Sequence, residues 1–298
     1  MFGNNKDAAC PKTVCAIGKF DGVHTGHKKL LITASKLAAD AGLVSVCLVM
    51  NSAWAQMLLS LEQREEVIKS LGFNKIVVQN LTPDFMNMSA EDFVKDFLLK
   101  TLNCAHVVVG YNFRFAKGRS ADANHLKSIC KDYKIECTII PEVICQINSK
   151  KITASSTNVR DFLFNGDVKS ASLILGRPYC ISGEVVHGKQ IGRTIKTPTA
   201  NINCPSQFIL PKSGVYATKA YIDGMRYSSV TNIGNNPTVN DDGKITIETN
   251  ILNFNGNIYG KNITIEFTDR IRDEKKFNSL EELREQIKKD IEYVLLTK

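Results

Sequence analysis

The pattern of the chain changes once, near Gly176, and that change confines it to two differently built halves. Before it, apolar runs of strand length alternate with segments whose apolar residues recur at helical spacing. Residues 13–17, 43–50, 75–79, 105–109 and 136–140 read as buried strands. Between them, 27–41 carries Leu30, Leu31, Ala34, Leu37, Ala38 and Ala41 on one face, and 61–71 closes on Gly72. Ser89 opens a helix bearing Phe93, Phe97 and Leu98, and 126–133 completes the series. Such alternation implies a parallel sheet with helices on both faces. After Gly176, the runs 179–186, 215–222, 229–233, 244–252 and 262–267 are divided by Asp223-Gly224, Asp241-Asp242-Gly243 and Asn255-Gly256. Asp-Gly between alternating runs is a hairpin signal. Ser279 then opens a helix with Leu280, Leu283, Ile287 and Ile291 on one side. Short strands followed by one helix predict a small antiparallel barrel capped by a helix. The expected class is α/β followed by β, with domains at 1–178 and 179–298.

With 43% hydrophobic and 23% charged residues, the 298-residue chain has the composition of a globular protein. No apolar run approaches the ~20 residues of a membrane span. Met1 to Lys12 lacks the apolar stretch of a secretory signal, so a cytoplasmic protein without a membrane partner is expected. The nine cysteines contain no C-x-x-C pair and sit largely in apolar runs, which predicts reduced core thiols rather than a zinc framework. A net charge of +8 suits an anionic partner, but the lysines gather only into doublets such as Lys28-Lys29 and Lys150-Lys151. The expectation is a small anion such as ATP, not nucleic acid.

Parallel sheets bind ligands at the carboxyl ends of their strands. Just past the first strand lies Gly18-Lys19-Phe20-Asp21-Gly22-Val23-His24-Thr25-Gly26-His27. Gly26 is expected to let the backbone turn closely, and a helix starting near His27 would offer free N–H groups to a phosphate. Two imidazoles there could donate to a triphosphate under attack. Ser155-Ser156-Thr157 opens another helix, with Arg160 one turn on. These residues read either as a helix cap or as a phosphate site. In the second half, Gly183, Gly188 and Gly192 with Arg193 suit a loop close to phosphate. Thr199 and Asn201 alternate with Ala200, so their oxygens share one face and suit Mg²⁺ or another divalent ion. A glycine-rich barrel turn explains the same residues equally well. Glu248, on a strand with Thr246 and Asn250, is either a proton acceptor or a surface glutamate.

The first half resembles the adenylyltransferase domain of bacterial bifunctional riboflavin kinase/FAD synthetases. The shared motifs are the histidine loop, Gly110-Tyr111-Asn112-Phe113-Arg114-Phe115, Lys117-Gly118-Arg119 and Ser155-Ser156-Thr157 with Arg160. The second half is similar to that family's riboflavin kinase domain through Gly183-Glu184-Val185-Val186-His187-Gly188, Gly192-Arg193-Thr194, Pro198-Thr199-Ala200-Asn201, Glu248 and Tyr259-Gly260-Lys261. Arg272, Lys276-Phe277 and Asp290 extend the match.

The resemblance implies a Rossmann-like nucleotidyltransferase domain before a kinase barrel. It implies ATP-dependent conversion of riboflavin to FMN, then of FMN to FAD. His24, His27 and Arg160 would be catalytic, with Gly18, Phe20, Asp21, Gly22, Gly26, Ser155, Ser156 and Thr157 at ATP. Asn112, Phe113, Arg114 and Arg272 would meet flavin. Thr199 and Asn201 would hold the metal, and Glu248 would be the base. A monomer or weakly self-associating chain is expected.

The family usually has aspartate at Asn112, glycine at Ala116, a Phe- and Pro-containing loop where Asn51-Ser52-Ala53-Trp54 stands, and Leu-Gly-aromatic where Ile195-Lys196-Thr197 stands. Two other readings therefore stay open: a riboflavin kinase with a weakened adenylyltransferase half, and a non-catalytic flavin- or nucleotide-binding protein.

Overall fold

The computed structural model describes residues 11–52, 56–188, 197–235 and 245–297. They fall into two compact units, Met1–Ala55 with Leu59–Ile144 and Gln56–Leu58 with Cys145–Lys298.

The first unit is built on β1 (Thr13–Gly18), β2 (Val44–Asn51), β3 (Lys75–Asn80), β4 (Cys104–Gly110) and β5 (Glu136–Ile140). They form one sheet in the order β3-β2-β1-β4-β5, with every neighbour parallel. The unbroken apolar runs have a direct cause, because both faces are covered. Cys15, Ile17, Val46, Leu48, Val107 and Val109 enter one core. Their chain neighbours Val14, Ala16, Cys47, Val49 and Val108 enter the other. Strand order reverses between β1 and β4, so the crevice of such a sheet opens beyond Gly18 and Gly110. Helices α1 (Thr25–Ala41) and α2 (Leu61–Ser70) follow β1 and β2, and α3 (Ala123–Asp132) precedes β5. Gly42 closes α1 in the left-handed region at φ 65°.

The segment opened by Ser89 is helical only briefly in the α sense, over Ala90–Asp92, and continues as a π-helix over Phe93–Thr101. Its wide turn is visible where Leu102 N donates to Phe97 O at 3.1 Å. Phe93 and Phe97 stack in it, with Phe85 edge-on to both.

The strand before Ser155 is not part of the parallel sheet. Ile144–Ile147 and Lys150–Thr153 form a separate two-stranded sheet. Lys150 and Lys151 are exposed, a pattern that an interior strand could not carry. Helices α4 (Ser156–Phe164) and α5 (Val168–Leu175) come next. Compactness thus divides the chain after Ile144, whereas the change of sequence period comes later, near Gly176.

The barrel strands are β6 (Tyr179–Val186), β7 (Ala200–Asn203), β8 (Gly214–Ile222), β9 (Met225–Asn235), β10 (Ile245–Ile251) and β11 (Asn262–Arg272). They close in the order β6-β7-β10-β9-β8-β11, all antiparallel. Helix α6 (Leu280–Leu296), capped by Ser279, packs Ile291 and Val294 against Val215, Ala217 and Val230 on the outside. On the opposite face the hydroxyls of Thr218, Ser229, Thr231 and Thr249 are buried and satisfy one another at 2.8–3.0 Å.

The eight described cysteines are all free, with Cys15, Cys47, Cys104 and Cys130 buried as core residues. No helix among the described residues is long and apolar enough to cross a membrane.

Candidate functional site

The loop beyond β1 turns earlier than the sequence suggests. Helix α1 begins at Thr25, with His24 as its cap: Nδ1 of His24 accepts from His27 N at 3.3 Å. That bond leaves Nε2 of neutral His24 as the protonated nitrogen. Gly26 lies inside the first helical turn, and the reversal is made by Phe20 (φ 51°), Gly22 (φ 80°) and Val23 (φ 39°). Gly18 is needed for another reason, since a Cβ there would meet the buried Phe20 ring at 3.0 Å. Asp21, half-buried, lies in the same turn.

The two histidine rings stack at 3.7 Å, and Phe20 meets His27 edge-on at 5.3 Å. His27 is half-buried as a residue, but its Nδ1 is fully enclosed and has no hydrogen-bond partner. Leaving such an atom unsatisfied costs about 1–3 kcal/mol in the free protein. Burial, and then repulsion from His24, push the His27 pKa well below its ordinary 6.5. As pH falls through 6.5 the unfolded chain takes up this proton before the folded one does. Stability is therefore expected to decline on acidification below about 6.5. Thermal melting from pH 7 to 5 should reveal this slope, and His27→Gln should flatten it.

Beyond β4, Asn112 and Arg114 are exposed and Phe113 is half-buried. The Phe113 ring stacks on Phe115 at 5.5 Å, and Arg114 approaches Asp122 at 3.8 Å. Ala116 stands at φ 66°, ψ 175°, a region open essentially to glycine alone. The backbone thus keeps the shape of a glycine although the side chain has changed. Ala116→Gly should relieve about 1–3 kcal/mol of strain, offset by about 0.5–1 kcal/mol of added chain entropy. The transition of the first unit should rise by about 2–4 °C. A lower melting temperature would contradict this reading.

In the second unit, Ser155 performs the cap role: its hydroxyl accepts from Asn158 N at 3.2 Å. Thr157 is exposed and Ser156 half-buried in the first turn, while Arg160 donates to Gln56 O at 3.2 Å.

The barrel brings three polar residues into one row. Asn201 on β7 lies opposite Glu248 on β10, and Glu248 lies opposite Asn232 on β9. Directly opposed residues place their Cβ atoms about 5 Å apart on the same face. Asn201 packs so closely on Gly188 that a Cβ there would meet its amide at 2.1 Å. Gly183 instead makes room for the Asn203 carbonyl, 2.6 Å from where its Cβ would be. Thr199 lines a neighbouring cavity of about 240 Å³ with Pro198, Phe254 and Tyr259.

Glu274, which the sequence did not single out, reaches this row, accepting from Asn232 Nδ2 at 3.4 Å. Arg272 gives its guanidinium to buried Asp290, at 2.8 Å from Nη2 and 3.1 Å from Nε. Its geometry is that of a residue fixing the segment that carries Glu274. Gly192, Arg193, Lys196, Ala53 and Trp54 lie outside the described residues.

Two family models match: FAD synthetase over residues 6–158 and riboflavin kinase over 175–296. The chain is 37% identical over 291 residues to the bifunctional riboflavin kinase/FMN adenylyltransferase of Bacillus subtilis (strain 168), covering 94% of this chain and 90% of that one. The protein of that name from Escherichia coli (strain K12) is 31% identical over 287 residues, covering 93% and 90%. A crystal structure described as a macrolide-efflux protein from Streptococcus pneumoniae superposes with a TM-score of 0.85 at 32% identity, over 97% of this chain and 96% of that one. With both enzymatic domains matched, neither a lone kinase nor a non-catalytic binding protein finds support. The chain belongs to the bifunctional riboflavin kinase/FMN adenylyltransferase family.

Proposed function

We propose that residues 179–298 phosphorylate riboflavin and residues 1–178 adenylylate the FMN so formed, each with its own ATP. In the first step Glu248 accepts the proton of the ribityl hydroxyl as that oxygen attacks the γ-phosphorus and ADP leaves. Asn201 and Thr199 are assigned to the metal. Their donor set fits Mg²⁺ that arrives on phosphates, being a neutral hydroxyl and a neutral amide oxygen, both hard ligands. When bound, such an ion would neutralise charge on the transferred phosphoryl.

In the second step FMN phosphate attacks the α-phosphorus and pyrophosphate departs. The nucleophile is already anionic, so the protein need only align it and stabilise charge. Gly18, Phe20, Asp21 and Gly22 shape the turn that presents His24 and His27. Ser156, Thr157 and Arg160 in the first turns of α4 are assigned to nucleotide phosphate. Asn112, Phe113 and Arg114 are assigned to flavin, and Arg272 to holding the kinase segment that faces it. The enzyme is taken to work in the cytoplasm, alone or weakly self-associated, without nucleic acid.

The observation that carries the assignment is that both domain families match along one chain, FAD synthetase over residues 6–158 and riboflavin kinase over 175–296, with the stacked His24–His27 pair in the first and the Asn201–Glu248–Asn232 row in the second. The test supplies purified chain with FMN, ATP and Mg²⁺, and separately with riboflavin in place of FMN, with and without a chelator. FAD with pyrophosphate in the first case, FMN in the second, and loss of both with chelator are expected. Metal-independent turnover would contradict the assignment of Thr199 and Asn201.

A further inference from the structure

Phe20 and Val23 hold left-handed backbone in the turn before His24. For a β-branched residue this is strained, and it persists only where the surroundings over-determine it. Part of that hold is local: Val23 N donates to Phe20 O at 3.1 Å, and the Phe20 ring is buried under Gly18. Part comes from α2. Arg64 occupies the inward stripe of that helix with Ile68 and is only 3% exposed. Its Nη1 donates to Lys19 O at 3.0 Å, its Nη2 to Asn51 Oδ1 at 3.1 Å and its Nε to Ser60 O at 3.4 Å.

The connection continues along the sheet. Asn51 Nδ2 donates to Asn80 Oδ1 at 3.0 Å, and Asn51 O accepts from Leu81 N at 3.0 Å. Gly18, Asn51 and Asn80 are the last residues of β1, β2 and β3. A single polar chain therefore runs across the carboxyl edge of the sheet, from the third strand to the histidine turn. Burying a guanidinium is costly, and an apolar residue of similar size would fill the same space at less cost. What it adds is a planar fork of donors able to bridge two elements at once.

We infer that Arg64 is a positioning residue for adenylyl transfer: steadied by Asn51 and Asn80, it grips Lys19 and so fixes the strained turn that presents His24 and His27. The inference rests on the assignment of those histidines to the triphosphate. Lysine at this position keeps the charge but cannot bridge the Lys19 carbonyl and the Asn51 amide in one plane.

The test uses the full chain with Arg64→Lys and Asn51→Ala. FAD formation from FMN is measured as kcat and as KM for ATP, with riboflavin phosphorylation by the same preparations as the internal control. Arg64→Lys should lower kcat about 10- to 100-fold while KM for ATP moves less than about threefold. Asn51→Ala leaves the Lys19 bond in place and should lower kcat about threefold. The kinase rate should hold in both. Unchanged kcat in Arg64→Lys would overturn the inference, as would a parallel fall in kinase rate. Should Arg64→Lys not accumulate in soluble form, Asn51→Ala decides by the same criterion. His27→Ala separates the two levels: if it spares FAD formation, the histidine assignment fails. If it abolishes FAD formation while Arg64→Lys is silent, only the role of Arg64 fails.

Discussion

Replacing Glu248 with glutamine is expected to lower FMN formation from riboflavin roughly 10²–10⁴-fold and to leave adenylylation of supplied FMN unchanged. The substitution keeps the shape of the side chain and removes only its capacity to take a proton. The strand that presents it is anchored independently, because its neighbour Thr249 points the other way and bonds Thr231 inside the barrel at 3.0 Å. Asn201 and Asn232 flank the position on both sides and are untouched. The loss should therefore fall on kcat, with KM for riboflavin and the melting temperature near their original values. A variant that phosphorylates riboflavin at the original rate would exclude Glu248 as the base.

The converse variant, His27→Ala, should lower FAD formation about 10²–10³-fold while FMN formation from riboflavin continues. Its Nδ1 bonds nothing in the free protein, so the substitution removes no side-chain hydrogen bond from the fold at that atom. It does remove the ring that stacks on His24 and touches Phe20. Part of the effect will thus come from a looser His24, and His27→Asn, which restores a donor, should recover some of the rate. Equal loss of both activities in a folded His27→Ala protein would contradict two separate sites.

The two architectures were legible in the sequence because burial leaves different marks on different strands. β1 and β2 are covered on both faces and read as continuous apolar runs, whereas β10 alternates Ile247 inward with Glu248 outward. Glu248 and Asn201 could be placed on exposed faces from alternation alone, but their alignment depends on barrel closure, which pairs strands that are not consecutive in sequence. Other features left weaker traces. The π-helix carries the same Phe93–Phe97 spacing that an α-helix would. Gly26 looked like the turning point because glycine tolerates any backbone, yet the strain sits on Phe20 and Val23. Arg64 did leave a signal, a charge on the apolar stripe of α2, that motif reading passes over. Glu274 comes from a connecting segment that is held near Asn232 by contacts such as the Arg272–Asp290 pair. No periodicity anticipates that contact.

The central claim, two consecutive flavin reactions on one chain, is tested most directly by a time course. Purified protein is incubated with riboflavin, ATP and Mg²⁺, and the flavins are resolved by chromatography. FMN should appear first and then be drawn down as FAD accumulates. FMN that accumulates with no FAD, or riboflavin that stays unconverted while supplied FMN becomes FAD, would contradict it.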